Sequence, residues 1–189
     1  VSGLSYVVQM ASAFEDAYNF ITVTKGYITP PSDGTAGGDS RYDVYIVSLP
    51  PNILGYTVPE AAGPAPWNDA TSYIKMRNSY SGFSSPLDYM RITAVHEFFH
   101  AVQFAYDYSE QPWYMEVSSV WISDVRYPTA DMEHMFLDTF FRNPQMSITT
   151  YDGAHEYGSY IWNTYLSLNY GDTVVRVIWE RNRFATCIS

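Results

Sequence analysis

Apolar residues recur at three- and four-residue spacing from residue 4 to 21 (Leu4, Val7, Val8, Met10, Ala11, Phe14, Ala17, Tyr18, Ile21), which predicts an amphipathic helix packed on a domain. Residues 29–40 hold two Pro, three Gly and two Asp with no apolar side chain larger than Ala, the composition of a surface loop. The pattern then turns β-branched and aromatic over 42–49, a strand that Pro50 and Pro51 end. A short strand is expected at Tyr56–Val58 before Pro59, a second loop over 60–70, and another strand at Ser72–Arg77. After a turn at 78–82, nothing breaks a helix from Pro86 to Ala105. Ser84 and Ser85 offer capping oxygens there, and Pro86 suits the first helical position because its missing N–H would be unpaired anyway.

Beyond residue 108 the periodicity is helical: about 113–124 behind Pro112, about 131–142 closed by Pro144, then 154–168 and 172–183 separated by Asn169-Tyr170-Gly171. Residues 146–150 are β-branched and read as extended. The expected fold class is α+β in one domain over 1–189. An N-terminal helix and a small, mainly antiparallel sheet (1–108) lead into the long helix, and a mostly helical part (109–189) follows.

Composition narrows the partners. Ten Lys+Arg against 20 Asp+Glu give a net charge of −10 and no basic stripe, which disfavours nucleic acid and anionic membranes. No stretch reaches the roughly 18 apolar residues of a membrane span. The heavy aromatic load, 18 Tyr and 5 Trp, suits half-buried packing above all, and also clefts that contact sugar or peptide. Few lysines with many Tyr, Ser, Asn and Gly lean towards an exported, extracellular protein. The first residue is not Met and no leader pattern opens the chain, as expected of a processed or excised piece, and residues 181–189 tail off as if more chain followed. The single cysteine, Cys187, excludes an internal disulfide and any cysteine-based zinc site.

The chemistry concentrates at His96-Glu97-Phe98-Phe99-His100. On a helix, His96 and His100 stand one turn apart on one face and can converge on one ion. Glu97, next along the helix, can reach a water on that ion. This is the HExxH arrangement, two neutral imidazole ligands with a carboxylate general base. With four His and eight Glu in the chain, it would arise in only about 0.4 % of shuffled sequences. Val95, Phe98, Phe99, Val102 and Phe104 would bury the rest of that helix, and polar groups left at an apolar-walled place need a partner.

Catalytic zinc takes three protein ligands and keeps a fourth position for water. A third His six residues after His100 is excluded, because that position is Tyr106. Glu116, His134, His155, Asp107, Asp124 and Glu110 remain as candidates, with Glu116 foremost. The short link 108–112 folds the next helix back, and Glu116 lies about one turn into it among Trp113, Tyr114, Met115, Val117 and Val120. A structural calcium ion at Asp33 and Asp39 is a further expectation, although the loop lacks a full set of oxygen ligands.

His96–His100 followed by Trp113-Tyr114-Met115-Glu116 resembles the gluzincins, the thermolysin-like clan of zinc peptidases. The context from Tyr42–Leu49 to His155-Glu156-Tyr157-Gly158-Ser159 is similar to exported bacterial metallopeptidases of unknown substrate. The resemblance implies a zincin-like fold, Zn2+ on His96, His100 and Glu116, and peptide hydrolysis with Glu97 as general base. It also implies an oxyanion donor from the helical half, for which Tyr157 comes first and His155 second. One position departs from the clan. Where an Asp would orient a ligand His, four residues after the Glu, this chain has Val120, so that support must come from Ser119, Asp124 or a backbone carbonyl. The Ser72–Arg77 strand is expected to form the cleft edge on which an extended peptide pairs. The alternative is a zinc-bearing peptide- or surface-binding module without turnover, which a fourth protein ligand or a missing oxyanion donor would favour.

Overall fold

A computed structural model describes residues 3–184. Cys187 and the end of the 181–189 tail lie outside the described residues. The elements in order are α1 (Leu4–Tyr18), β1 (Val44–Val47), β2 (Gly55–Ala62), β3 (Ala70–Arg77), α2 (Pro86–Phe104) and α3 (Pro112–Arg126). They continue with α4 (His134–Arg142), α5 (His155–Gly158), α6 (Ile161–Tyr170) and α7 (Thr173–Asn182). The fold is α+β.

The sheet is mixed, correcting the mainly antiparallel expectation. Its order is β1-β3-β2, with β3 parallel to β1 and antiparallel to β2. Ile74 and Met76 of β3 are fully buried between their neighbours, as the period of two requires for a central strand. β3 therefore cannot be the cleft edge expected of it, since both its sides are paired. β2 holds that edge instead. It runs through Pro59 to Ala62, past the expected end at Val58, because a proline is tolerated where one side of the strand is unpaired.

α2 is the spine of the molecule, packed against α1, β2, β3 and α3. Ser85 takes the N-cap position and Pro86 the first turn, but no serine side chain caps the helix. All but its solvent-side residues are buried, from Met90 through Phe104. α1 is fixed to α3 where Asp16 accepts hydrogen bonds from Arg126 Nε at 2.9 Å and the Tyr127 hydroxyl at 2.7 Å. The helix expected to reach residue 21 leaves α geometry at Asn19 for a wider π turn to Thr24. One apolar core joins both halves of the chain. Trp179 of α7 stacks on Tyr114 of α3 at 5.5 Å, and its indole N–H donates to Ser118 Oγ at 3.2 Å.

Two later expectations are corrected. Residues 146–150 form turns rather than an extended segment, and Ser147 Oγ bonding Thr149 competes with any ladder there. The helix expected over 154–168 is split into α5 and α6 at Ser159 and Tyr160. Gly158 lets α5 lie directly on α4, since a Cβ there would come within 2.6 Å of Phe140 Cβ.

Candidate metal centre

The helical hairpin α2–α3 brings His96, His100 and Glu116 together, as the spacing of the motif predicts. His96 Nε2 lies 3.1 Å from Glu116 Oε2 and 3.1 Å from His100 Nε2, while His100 Nε2 is 3.7 Å from Glu116 Oε1. Donor atoms on one tetrahedral zinc stand about 3.3 Å apart, from metal–ligand bonds of about 2.0–2.1 Å. The observed separations bracket that value.

The orientation of His100 follows from the side chain of Gln103, which is fully buried one turn further along α2. The Gln103 amide nitrogen donates to the Met115 carbonyl at 2.8 Å, and a carbonyl can only accept, so the amide oxygen must face the other way. It faces His100 Nδ1 at 2.8 Å. Nδ1 therefore carries a proton, so Nε2 is the nitrogen that a neutral His100 would offer to an ion between His96 and Glu116. Ser119 Oγ, at 3.3 Å from the same Nδ1, is a second support, one of those expected from the sequence. Gln103 was not expected, although its position three residues after His100 on the same helix face is a readable signal.

Electrostatics favour a cation at this point. Burial works against charge on His100, but the Glu116 carboxylate and its hydrogen bond outweigh it and push the imidazole up to about 9. Burial likewise opposes charge on Glu116, yet His100 and His96 hold its carboxyl well below the ordinary range. A buried carboxylate that draws a positive charge onto His100 fits a divalent ion at the same place. Among the described residues no fourth His, Cys, Asp or Glu joins this group, so the donor set leaves a coordination position open.

Glu97 stands beside the donors without joining them. The Thr57 hydroxyl of β2 shares its proton between the Glu97 carboxylate, at 2.9 Å, and the Glu97 backbone carbonyl, at 2.8 Å. Gly55 explains how the strand comes so near, because a Cβ there would lie 3.0 Å from Glu97 Cγ and 2.8 Å from Met76 Sδ. Residues 55–57, His96, Glu97, His100 and Glu116 line one cleft of about 830 Å³, whose remaining walls include Phe83, Tyr89, Met115, Phe136, Tyr151 and Tyr157.

Tyr157 is placed in this cleft, its ring stacked on Phe136 at 4.9 Å. Burial pushes its phenol above the ordinary value, and the Glu116 carboxylate adds to the shift, so it stays a donor. Tyr151, which sequence reasoning did not single out, is a second phenol on the same wall, also raised by burial and by Glu116. His155 is not brought to the centre. Its ring is buried against Phe140 at 4.7 Å, with neither nitrogen hydrogen-bonded, and it does not line the cleft. Apolar packing of α5 on α4 turned it inward.

The other ligand candidates are engaged elsewhere. Asp107 accepts from the Asn68 amide and from Ser109, and Glu110 accepts from the Asn182 amide at 2.7 Å. Asp124 and His134 lie together at the far end of α3 and the start of α4. In the acidic loop, Asp39 is already bonded by the Arg41 guanidinium at 2.5 Å, and the expected calcium ligands Asp33 and Asp39 do not form a cluster with a third acidic or imidazole group among the described residues. No described helix is long and apolar enough to cross a membrane. Comparison with protein-family models, curated proteins and solved structures finds no match to this chain.

Proposed function

We propose that this chain is a zinc-dependent peptidase of gluzincin type, with a zincin-like arrangement of sheet, HExxH helix and returning helix. The observation that carries the reading is the three-donor set, His96, His100 and Glu116, beside a carboxylate that is not itself a donor. A structural zinc site closes its fourth position with protein and has no use for Glu97.

A zinc ion held there supplies Lewis acidity and brings the pKa of a bound water towards about 7. The protein's own groups do the rest. Glu97, oriented by Thr57, takes the proton of the attacking water and later passes it to the leaving amine. Tyr157, with Tyr151 beside it, donates a hydrogen bond to the oxyanion. The edge of β2 at 55–57 offers unpaired backbone groups to an extended peptide, the role expected of the Ser72–Arg77 strand. The aromatic and methionine walls suit bulky apolar side chains. An acidic, tyrosine-rich exported enzyme is consistent with the composition.

The test pairs metal analysis with peptide digestion. Wild type is expected to hold zinc at the centre and cleave a mixed peptide library. Glu116→Ala should lose zinc from the centre, and Glu97→Gln should keep it while activity falls by roughly 10²–10⁴-fold. Zinc held at the centre undiminished in Glu116→Ala would overturn the ligand assignment. Zinc bound with no cleavage of any peptide by wild type would favour the binding-module reading.

A further inference from the structure

The cleft continues along α3 beyond Glu116. Ser123, seven residues and about two helical turns on, lines it together with Met132 and Glu133. Glu133 is the unusual residue at this end. Its side chain is 7 % exposed, and its Oε1 has no hydrogen-bond partner. It stands at the N-cap of α4, yet its carboxylate caps no N–H of that helix. Leaving one oxygen of a buried carboxylate without a hydrogen-bond donor is costly, which favours a further partner there.

The surroundings supply ligands and an excess of negative charge, with His134 the one positive charge acting on Glu133 and Asp124. One donor atom from each of Asp131, Glu133 and His134 falls within 4.8 Å of the others. His134 Nε2 is 3.5 Å from Glu133 Oε1, and its Nδ1 is 3.7 Å from Asp131 Oδ1. Asp124, at the end of α3, adds a third carboxylate to the field. Burial and mutual repulsion raise both the Glu133 and the Asp124 carboxyls, and no Lys or Arg is among the charges acting on either. Three carboxylates thus face a single imidazole that can carry at most one positive charge.

We propose that Asp131, Glu133 and His134 form a second cation site at the far end of the cleft, taking a divalent transition metal ion. The imidazole selects this class over calcium or magnesium, which prefer oxygen ligands throughout. Asp131 and His134, both more than half exposed, give the ion an entry path, and Glu133 anchors it from the buried side. Such an ion would pin the 127–133 connection between α3 and α4 to the cleft wall. The site stands on different residues from the His96–His100–Glu116 centre and does not rest on the peptidase reading.

The test is a zinc titration of metal-free protein by calorimetry, with visible absorption of the cobalt-loaded form beside it. Wild type should take two equivalents. His134→Ala and Glu133→Gln should each remove or weaken one of them at least tenfold, while Glu116→Ala removes only the other. His134 is exposed, so its variant folds even where the Glu133 change does not. One equivalent in wild type, lost in Glu116→Ala and unmoved in His134→Ala, would overturn the second site and leave the first intact. One equivalent that survives Glu116→Ala and is lost in His134→Ala would support the second site and count against the first.

Discussion

Replacing Gln103 by Leu keeps the volume of the buried side chain and deletes its acceptor towards His100 and its donor towards Met115, Ser118 and Ser119. The His100 Nδ1–H loses its acceptor at 2.8 Å and is left with Ser119 Oγ at 3.3 Å. The Met115 carbonyl loses its donor at 2.8 Å and keeps a longer contact from Ser118 at 3.4 Å. Weakening this buried network costs about 1–3 kcal/mol, which lowers Tm by roughly 2–12 °C in a chain of this size. Losing the group that orients a metal-bound imidazole typically weakens the metal by about 10–100-fold. Ser119 remains as a substitute acceptor, so the lower end, about tenfold, is expected. Removing Ser119 as well, in Gln103→Leu/Ser119→Ala, should carry the loss towards about 100-fold. Gln103→Glu separates the two roles. It preserves an acceptor for His100 but offers nothing to the Met115 carbonyl, so Tm should fall while zinc affinity does not. The assays are thermal unfolding by circular dichroism on metal-free protein and competition for zinc with a chromophoric chelator. A Gln103→Leu protein that binds zinc within twofold of wild type would refute the reasoning.

Gly55→Ala should lower both stability and peptide turnover with zinc content unchanged, because the new Cβ meets Met76 Sδ at 2.8 Å and Glu97 Cγ at 3.0 Å. Thermal melts, metal analysis and steady-state kinetics on one preparation check this, and full activity would show that the strand can yield. Asp16→Asn tests the α1–α3 tie through pH. The hydrogen bond from Arg126 is the largest influence on Asp16 and lowers its carboxyl below the ordinary 3.8. Its contribution is present above that value and is lost as pH falls through the lower, folded one. The variant should therefore be less stable than wild type at neutral pH, with the gap closing as urea unfolding is repeated down to about pH 3. A gap that stays constant with pH would count against the ion pair.

The candidate centre was legible because its signal is spacing. His96, Glu97 and His100 imply their shared placement once a helix is granted, and Glu116 follows from a short link and an otherwise apolar helix. α1, β1, β3, α2 and α3 were likewise visible in local periodicity. What local pattern does not contain is pairing between distant segments. The insertion of β3 between β1 and β2 depends on contacts over dozens of residues, so local pattern does not tell which strand is the edge. Pro59 hid the second half of β2, because a proline reads as a stop unless the strand is known to be an edge. The break between α5 and α6 has no proline to announce it, and it is set by how closely Gly158 lets α5 settle on α4. His155 was misplaced for the same reason, since its direction depends on that packing. Gln103 is a single amide in an apolar run; its spacing from His100 is readable, but its second partner, the Met115 carbonyl, is not.

The hairpin of α2 and α3 carries a consequence for the order of events in the life of the chain. The three donors are framed by apolar packing of α2 on α3, and the Gln103 bridge orients His100 among them. Because protein contacts make that frame, a chelator is expected to strip the proposed zinc without melting the helices. For such a protein the supply of zinc, rather than the act of folding, would decide when the cleft becomes active. On the proposed reading, such a chain would stay silent after folding until it met the ion.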